Sequence, residues 1–330
     1  MSTKSASTST ASTHTASAGT ASSKATESGA GASAEDTAAI IAQAWNFDDA
    51  GASELRFTQL ADAARERGEL TAALELRTQV ARAQGLSGRM EAAARTLAAI
   101  AAESSELPPV VRVRVWLEQG RVLNSSHQPV AARPLFERAW ELARTEKLEG
   151  LAVDAAHMIA ITFLSEPDVA IRWNDQALAL ARASTQAPAR RWLPSLLNNQ
   201  GWSYFEQQNP ERALALFEEA LVLRREQTNA KATRIAEWCV AKARRVLGHT
   251  EQALEIQLRL LAEHSALGSV NGYVFEELGE LYLILGQVEL AGEYFAQAYA
   301  ELGKNAELRR SETPRLERMA RLGGVQVEVR

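Results

Sequence analysis

The sequence predicts an all-α chain, an array of about six stacked helix pairs with capping helices at both ends. Three observations predict it. The apolar content of 46 % is skewed to alanine and leucine with only nine prolines, which favours helices. An alanine recurs in one register at Ala93, Ala132, Ala170, Ala213, Ala253 and Ala291. A turn residue recurs with it: Gly88, Gly248 and Gly286 five residues before the alanine, or Pro129, Pro167 and Pro210 three before. Glycine accepts the left-handed conformation after a helix end, and proline pre-sets the first turn of the next helix. Each pair is therefore expected to end its first helix by one device or the other.

Residues 1–35 are nearly all Ser, Thr, Ala and Gly. Such a segment buries too little apolar surface to offset its ordering entropy and reads as a disordered tail. It lacks the apolar core of a secretory signal, and as a transit peptide it lacks arginine. Its hydroxyls are open to phosphorylation. Residues 36–69 read as capping helices: a short one over Asp36–Trp45, then one capped by Ser53 that runs to about Gly68. Leu55, Phe57, Leu60 and Ala64 form the apolar stripe of the second.

The array spans 70–305. Its units start at Leu74, Val113, Leu151, Pro194, Arg234 and Gly272. The recurrent alanine is the twentieth position, where the two helices touch closest. The eighth position holds Ala81, Gly120, Met158, Gly201, Ala241 and Gly279. The twenty-fourth holds Leu97, Phe136, Asn174, Phe217, Gln257 and Phe295. The alanines lie 38 to 43 residues apart, longer than the ~34 of many helical repeats. The surplus predicts longer helices or extended connections, notably at Ser184–Pro188 and Gln227–Ala230. Residues 306–330 read as a capping helix at Glu312–Leu322 and a short tail.

Composition limits function. A net charge of −5 is too mild to call for nucleic acid or a membrane surface. The single cysteine, Cys239, makes no intrachain disulfide or cysteine metal cluster and suits a reducing compartment. No apolar run approaches ~20 residues. A cytoplasmic place without cofactor or metal is expected. No nucleophile–base pair, phosphate loop or metal-ligand spacing is visible, which argues against an enzyme.

Three units carry a shared motif. Trp116, Gly120, Leu123, Ala132, Phe136 and Ala139 form it in the second. Leu197, Gly201, Tyr204, Ala213, Phe217 and Ala220 form it in the fourth. Phe275, Leu278, Gly279, Tyr282, Ala291, Phe295 and Ala298 form it in the sixth. On these residues the chain resembles the tetratricopeptide repeat family over roughly 70–305. The longer period and Asn198-Asn199 resemble kinesin-light-chain repeats and the sensor repeats of some bacterial regulators. The whole is most similar to soluble bacterial repeat proteins of unassigned role. The resemblance implies a right-handed superhelix whose first helices line a concave groove for peptides or partner proteins, that is, a scaffold or adaptor. The alternative is a sensor that binds a peptide or small effector and regulates a partner. Oligomeric state stays open.

Carried onto this sequence, the groove positions are Arg121 and Asn124 in the second unit and Asn198, Asn199 and Trp202 in the fourth. They are Trp238, Lys242 and Arg245 in the fifth, and Glu276 and Glu280 in the sixth. Asn199 offers a donor and an acceptor to an extended peptide backbone, or else bonds within its own helix pair. Trp202 and Trp238 are aromatic anchors or ordinary packing residues. Lys242 and Arg245 face Glu276 and Glu280, either to orient a peptide or to neutralise one another. The family's carboxylate clamp is not supported, because the third unit has Ala155, Ala156 and Ile159 at its groove positions. His157, beside Met158 on an apolar helix, reads as a buried structural histidine.

Overall fold

The computed structural model describes residues 34–163, 165–227 and 229–326. The expected tail over 1–35 lies outside them, except that residues 34 and 35 begin the first helix. Among the described residues every regular element is a helix. In chain order they are α1 (Ala34–Ala44), α2 (Ala50–Glu66), α3 (Leu70–Leu86), α4 (Met90–Ala102), α5 (Pro109–Ser125), α6 (Pro129–Thr145), α7 (Glu149–Ile161) and α8 (Pro167–Ala183). They continue as α9 (Ala187–Arg190), α10 (Leu193–Glu206), α11 (Pro210–Glu226), α12 (Ala230–Val246), α13 (Thr250–Ala266), α14 (Gly272–Ile284), α15 (Val288–Leu302), α16 (Ala306–Ser311) and α17 (Thr313–Leu322). The residues pack as two compact units, divided between Gln200 and Gly201 within α10.

The volume at two register positions explains the pairing. All six recurrent alanines are buried, as are all six residues at the twenty-fourth position. Where that position is phenylalanine, the eighth is glycine. A Cβ on Gly120 would stand 2.4 Å from the Phe136 ring, and one on Gly201 2.4 Å from that of Phe217. Where it is Leu97, the eighth residue grows to Ala81. Opposite the smaller Asn174 stands Met158. The pairs conserve volume, as a close-packed interior requires. Gln257 opposite Ala241 departs from this: it is fully buried, and neither amide atom has a partner among the described residues.

The turns depart from expectation in an instructive way. Gly88, Gly248 and Gly286 have φ of 75°, 80° and 74°, but so do non-glycine residues at the same position, His127 at 59° and Gln208 at 60°. In all five, the next residue's N–H donates to the carbonyl five residues back, for example Gln128 to Leu123 at 3.0 Å and His249 to Arg244 at 2.9 Å. This closure needs a left-handed residue whatever follows. At Pro129 and Pro210, proline therefore does not replace glycine; it starts the next helix after a left-handed residue that is strained in its place. We expect His127→Gly to raise stability by about 0.5–1 kcal/mol, the relief of left-handed strain less glycine's entropy cost. Urea unfolding measures this, and a lower midpoint for His127→Gly would overturn it.

The long spacing is mostly helix length: seven of the repeat helices, α3, α5, α6, α8, α11, α12 and α13, each run 17 residues. The expected loop near Ser184–Pro188 instead holds the one-turn helix α9. There Pro188 lies 2.7 Å from where a Cβ on Gly150 would stand, so α9 is seated on α7.

At the N-terminal end α2 is capped by Asp49, whose carboxylate accepts from the Ala52 N–H at 2.8 Å. Ser53 is not the cap. Its buried hydroxyl donates to the Asn46 carbonyl at 2.8 Å. Leu55 is 61 % exposed and leaves the stripe, while Phe57, Ala61 and Ala64 are buried against α3. Ser53 and Phe57 stand forty residues before Ala93 and Leu97. So α2 keeps the register of a second helix, with a serine in the alanine's place. Trp45 stacks on Phe47 at 4.6 Å and covers the edge of Phe57 at 5.0 Å.

Candidate functional site

Within each unit, first helices of successive pairs approach one another: α3 and α5, α5 and α7, α12 and α14. Their facing sides carry the polar and aromatic residues picked out above.

In the unit ending at Gln200 these sides hold a buried ionic ladder. Arg114 donates to Glu75 at 2.8 Å, Arg121 to Glu118 at 2.5 Å and also to Asp154, and Arg82 lies 3.6 Å from Glu118. Three cations meet three carboxylates. Burial raises the pKa of Glu75, with Arg114 acting against it. His157 lies 5.4 Å from the Trp192 ring. Burial pushes its imidazole down to about 4; Asp154 opposes this, and Arg121 and Arg82 add to it. Arg121 is thus committed to two carboxylates, and Asn124 is half-buried near the end of α5. Asn198 and Asn199 lie on α10, half-buried and partnered.

The unit from Gly201 holds a line of half-buried rings. Trp202 and Trp238 lie 5.9 Å apart, Trp238 and Tyr273 5.8 Å. The Trp238 indole N–H donates to the Tyr273 carbonyl at 3.1 Å, which fixes the ring. Lys242 stands 5.2 Å over Trp238 and Arg315 5.5 Å over Tyr273, contacts that favour a cation on a ring face.

The charges pair differently from the expected scheme. Lys242 and Arg245 both donate to Glu277, each at 2.6 Å. Glu276 pairs with Arg315 at 2.7 Å and Glu280 with Arg318 at 3.0 Å. The reason is helical geometry. Neighbouring residues on a helix point ~100° apart, so Glu277 faces α12 while Glu276 and Glu280, one turn apart, face α17. Burial raises the Glu277 carboxyl, and Lys242 and Arg245 outweigh it and bring it to about 2. Cys239 is buried and its thiol is pushed up to about 12 by burial, so it is no nucleophile at neutral pH. Sequence reasoning missed Arg315 and Arg318 because they sit in a capping helix. The signal was present: they follow Glu276 and Glu280 by 39 and 38 residues, one repeat.

Among the described residues no group of three His, Cys, Asp or Glu side chains is placed to hold a metal. Among them, too, no helix is long and apolar enough to cross a membrane.

Helix pairs stacked in register, with an ionic ladder along the first helices of one unit and an aromatic line along those of the other, define a helical-repeat fold in each. The family model "Tetratricopeptide repeat" matches residues 194–226. The chain carries a tetratricopeptide repeat there, and its fold is that of proteins built from such repeats. RapI in its apo form is similar in structure, with a TM-score of 0.63 at 12 % identity, covering 82 % of this chain and 76 % of that one. BtubC (BKLC) from P. vanneervenii is similar with a TM-score of 0.54 at 16 % identity, covering 66 % and 92 %. NprR, solved in complex with its cognate peptide NprX, has a TM-score of 0.51 at 14 % identity, covering 83 % and 80 %. At these identities the likeness is one of fold. No curated protein matches in sequence.

Proposed function

We propose that the chain is a binding scaffold that takes a protein or peptide partner on its first-helix faces, with Trp202 and Trp238 as anchors in the unit from Gly201 and Asn198 and Asn199 as polar contacts in the unit ending at Gln200. The observation that carries this is the half-buried ring line Trp202–Trp238–Tyr273. Aromatic side chains that are rigidly held and still partly open are what binding hot spots are made of. The charges beside them are already spent: Lys242 and Arg245 on Glu277, Glu276 and Glu280 on Arg315 and Arg318. They hold the rings in place, and the partner is gripped chiefly by apolar and aromatic contact. Arg121 and Asn124 serve a second stretch of the same kind of face.

The test is affinity capture with the full chain, read by quantitative mass spectrometry. Trp202→Ala with Trp238→Ala should lose the captured partners while the helical circular-dichroism spectrum is kept, and Asn199→Ala should weaken the capture. Undiminished capture by the tryptophan double variant sinks the proposal.

A second reading is a sensor that binds a short peptide or small effector and regulates a partner. NprR, with this fold and a bound cognate peptide, favours it. A heat-stability screen separates the two, since a tight small effector raises the melting temperature by mass action and a protein-only scaffold shows no such hit.

A further inference from the structure

A cavity of about 280 Å³ lies between α13, the 267–271 connection, α14 and α15. Its size is below the ~300–1,000 Å³ of sites for drug-sized ligands, so it suits one long side chain. Leu261, Val274 and Leu290 make apolar walls, and the rings of Phe275 and Tyr294, 6.2 Å apart, close one side. Tyr294 is held flat against Tyr282 at 5.4 Å. The walls therefore fit a hydrocarbon stem.

The polar groups decide what the stem ends in. His264, Ser269 and Asn271 are committed to each other. The Asn271 carboxamide oxygen accepts from the Tyr273 N–H at 3.0 Å to cap α14, which turns its NH2 toward the His264 Nε2 at 3.3 Å. That nitrogen is then an acceptor, so the proton sits on Nδ1, 2.9 Å from the Ser269 hydroxyl. The imidazole is held neutral. The carboxylate of Glu293 has no ion pair or hydrogen-bond partner among the described residues, and it stands beside Tyr294 and Gln297. No lysine or arginine among them lines the cavity. The C-terminal end of α13 and the N-terminal end of α14 both lie at this edge, and their opposite dipole ends offset one another. With His264 neutral, the charge among the lining residues is the carboxylate of Glu293, exposed at the rim next to Tyr294, a setting that favours a cation reaching in from outside.

We infer that this cavity, which no ring of the ring line borders, is a binding site for a single lysine or arginine side chain presented by a partner protein. The test is an amide-shift titration by NMR of the full chain with Nα-acetyl-lysine methylamide, whose two ends are capped as in a protein. Saturable shifts around Phe275 and Tyr294 are expected with a Kd of about 1–10 mM, the range open to one side chain. Nα-acetyl-norleucine methylamide, with the stem but no charge, and the E293Q variant should each bind at least about fivefold more weakly. The Trp202→Ala variant should bind unchanged. No saturation by about 50 mM overturns the proposal. So does equal binding of the norleucine probe, or full binding by E293Q. Shifts with free lysine but not the capped probe also overturn it, since the ligand is then a free amino acid.

Discussion

Gly120→Ala is expected to destabilise the chain by about 2–3 kcal/mol, the upper range for overpacking a rigid core. The new methyl would lie 2.4 Å from Phe136 Cε1 and 2.7 Å from its Cζ, and Phe136 is fully buried with nowhere to turn. Adding Phe136→Leu should recover most of the loss, because the Ala–Leu combination already exists in this chain as Ala81 and Leu97, both buried. A double-mutant cycle would show coupling of more than about 1 kcal/mol. Gly85→Ala is the control. Gly85 is also helical, but a Cβ there meets nothing within 4 Å, so alanine should stabilise by about 0.5–1 kcal/mol. If Gly120→Ala and Gly85→Ala move the urea midpoint in the same direction, the volume argument is wrong.

The second large effect is a loss of stability on mild acidification, through His157. Its folded-state pKa is lowered to about 4 by burial, against about 6.5 when unfolded. The unfolded chain therefore binds the proton more readily. His157's contribution is fully present above pH 6.5 and is lost as pH falls from there toward 4. The loss amounts to about 2 kcal/mol at pH 5. Below about pH 4.5 the carboxylates join in, Glu277 above all, since it too holds a lowered pKa. In the window from pH 6.5 to 5 the lowered carboxyls stay ionised, while Glu75 and Glu206, raised by burial, act in the opposite sense, so the comparison with a His157 variant is what separates the histidine. His264, also lowered chiefly by burial, adds a smaller part of the same sign. The measurement is urea unfolding of the native chain and His157→Gln between pH 7.5 and 5. The difference between their stabilities should shrink as pH falls. Parallel curves would show that His157 is not the group that titrates.

Part of the candidate site is legible in the order of residues alone. Trp202, Trp238 and Tyr273 fall on first-helix positions set by the repeat, and the fold brings their rings together. The pairing of the charges is not legible in that order. Glu276, Glu277 and Glu280 crowd one stretch of α14, and although Arg315 and Arg318 stand one repeat beyond two of them, spacing alone does not say which glutamate takes which cation. Only the rotation of α14 between α12 and α17 assigns Glu277 to Lys242 and Arg245 and the other two to Arg315 and Arg318. The cavity beside Glu293 is invisible in the sequence as well, because its walls come from four segments whose approach no periodicity encodes.

The sequence by itself determined the helix pairs, their register and the places where the helices touch. Those depend on side-chain volume at fixed spacing: the six alanines, the Gly120–Phe136 and Gly201–Phe217 exchanges, and the residues that start and stop helices. Tertiary structure decided the left-handed turns at His127 and Gln208, the one-turn helix α9, the continuation of the register into α2 and the ion pairs between helices. A turn closure is set by the backbone bonds its helix end must satisfy, so it overrides the local preference of the residue it lands on. An ion pair between helices depends on helix rotation and on distances of a few ångströms across elements, and neither is written in the order of residues along one helix, unlike a pair within one helix such as Glu118 and Arg121.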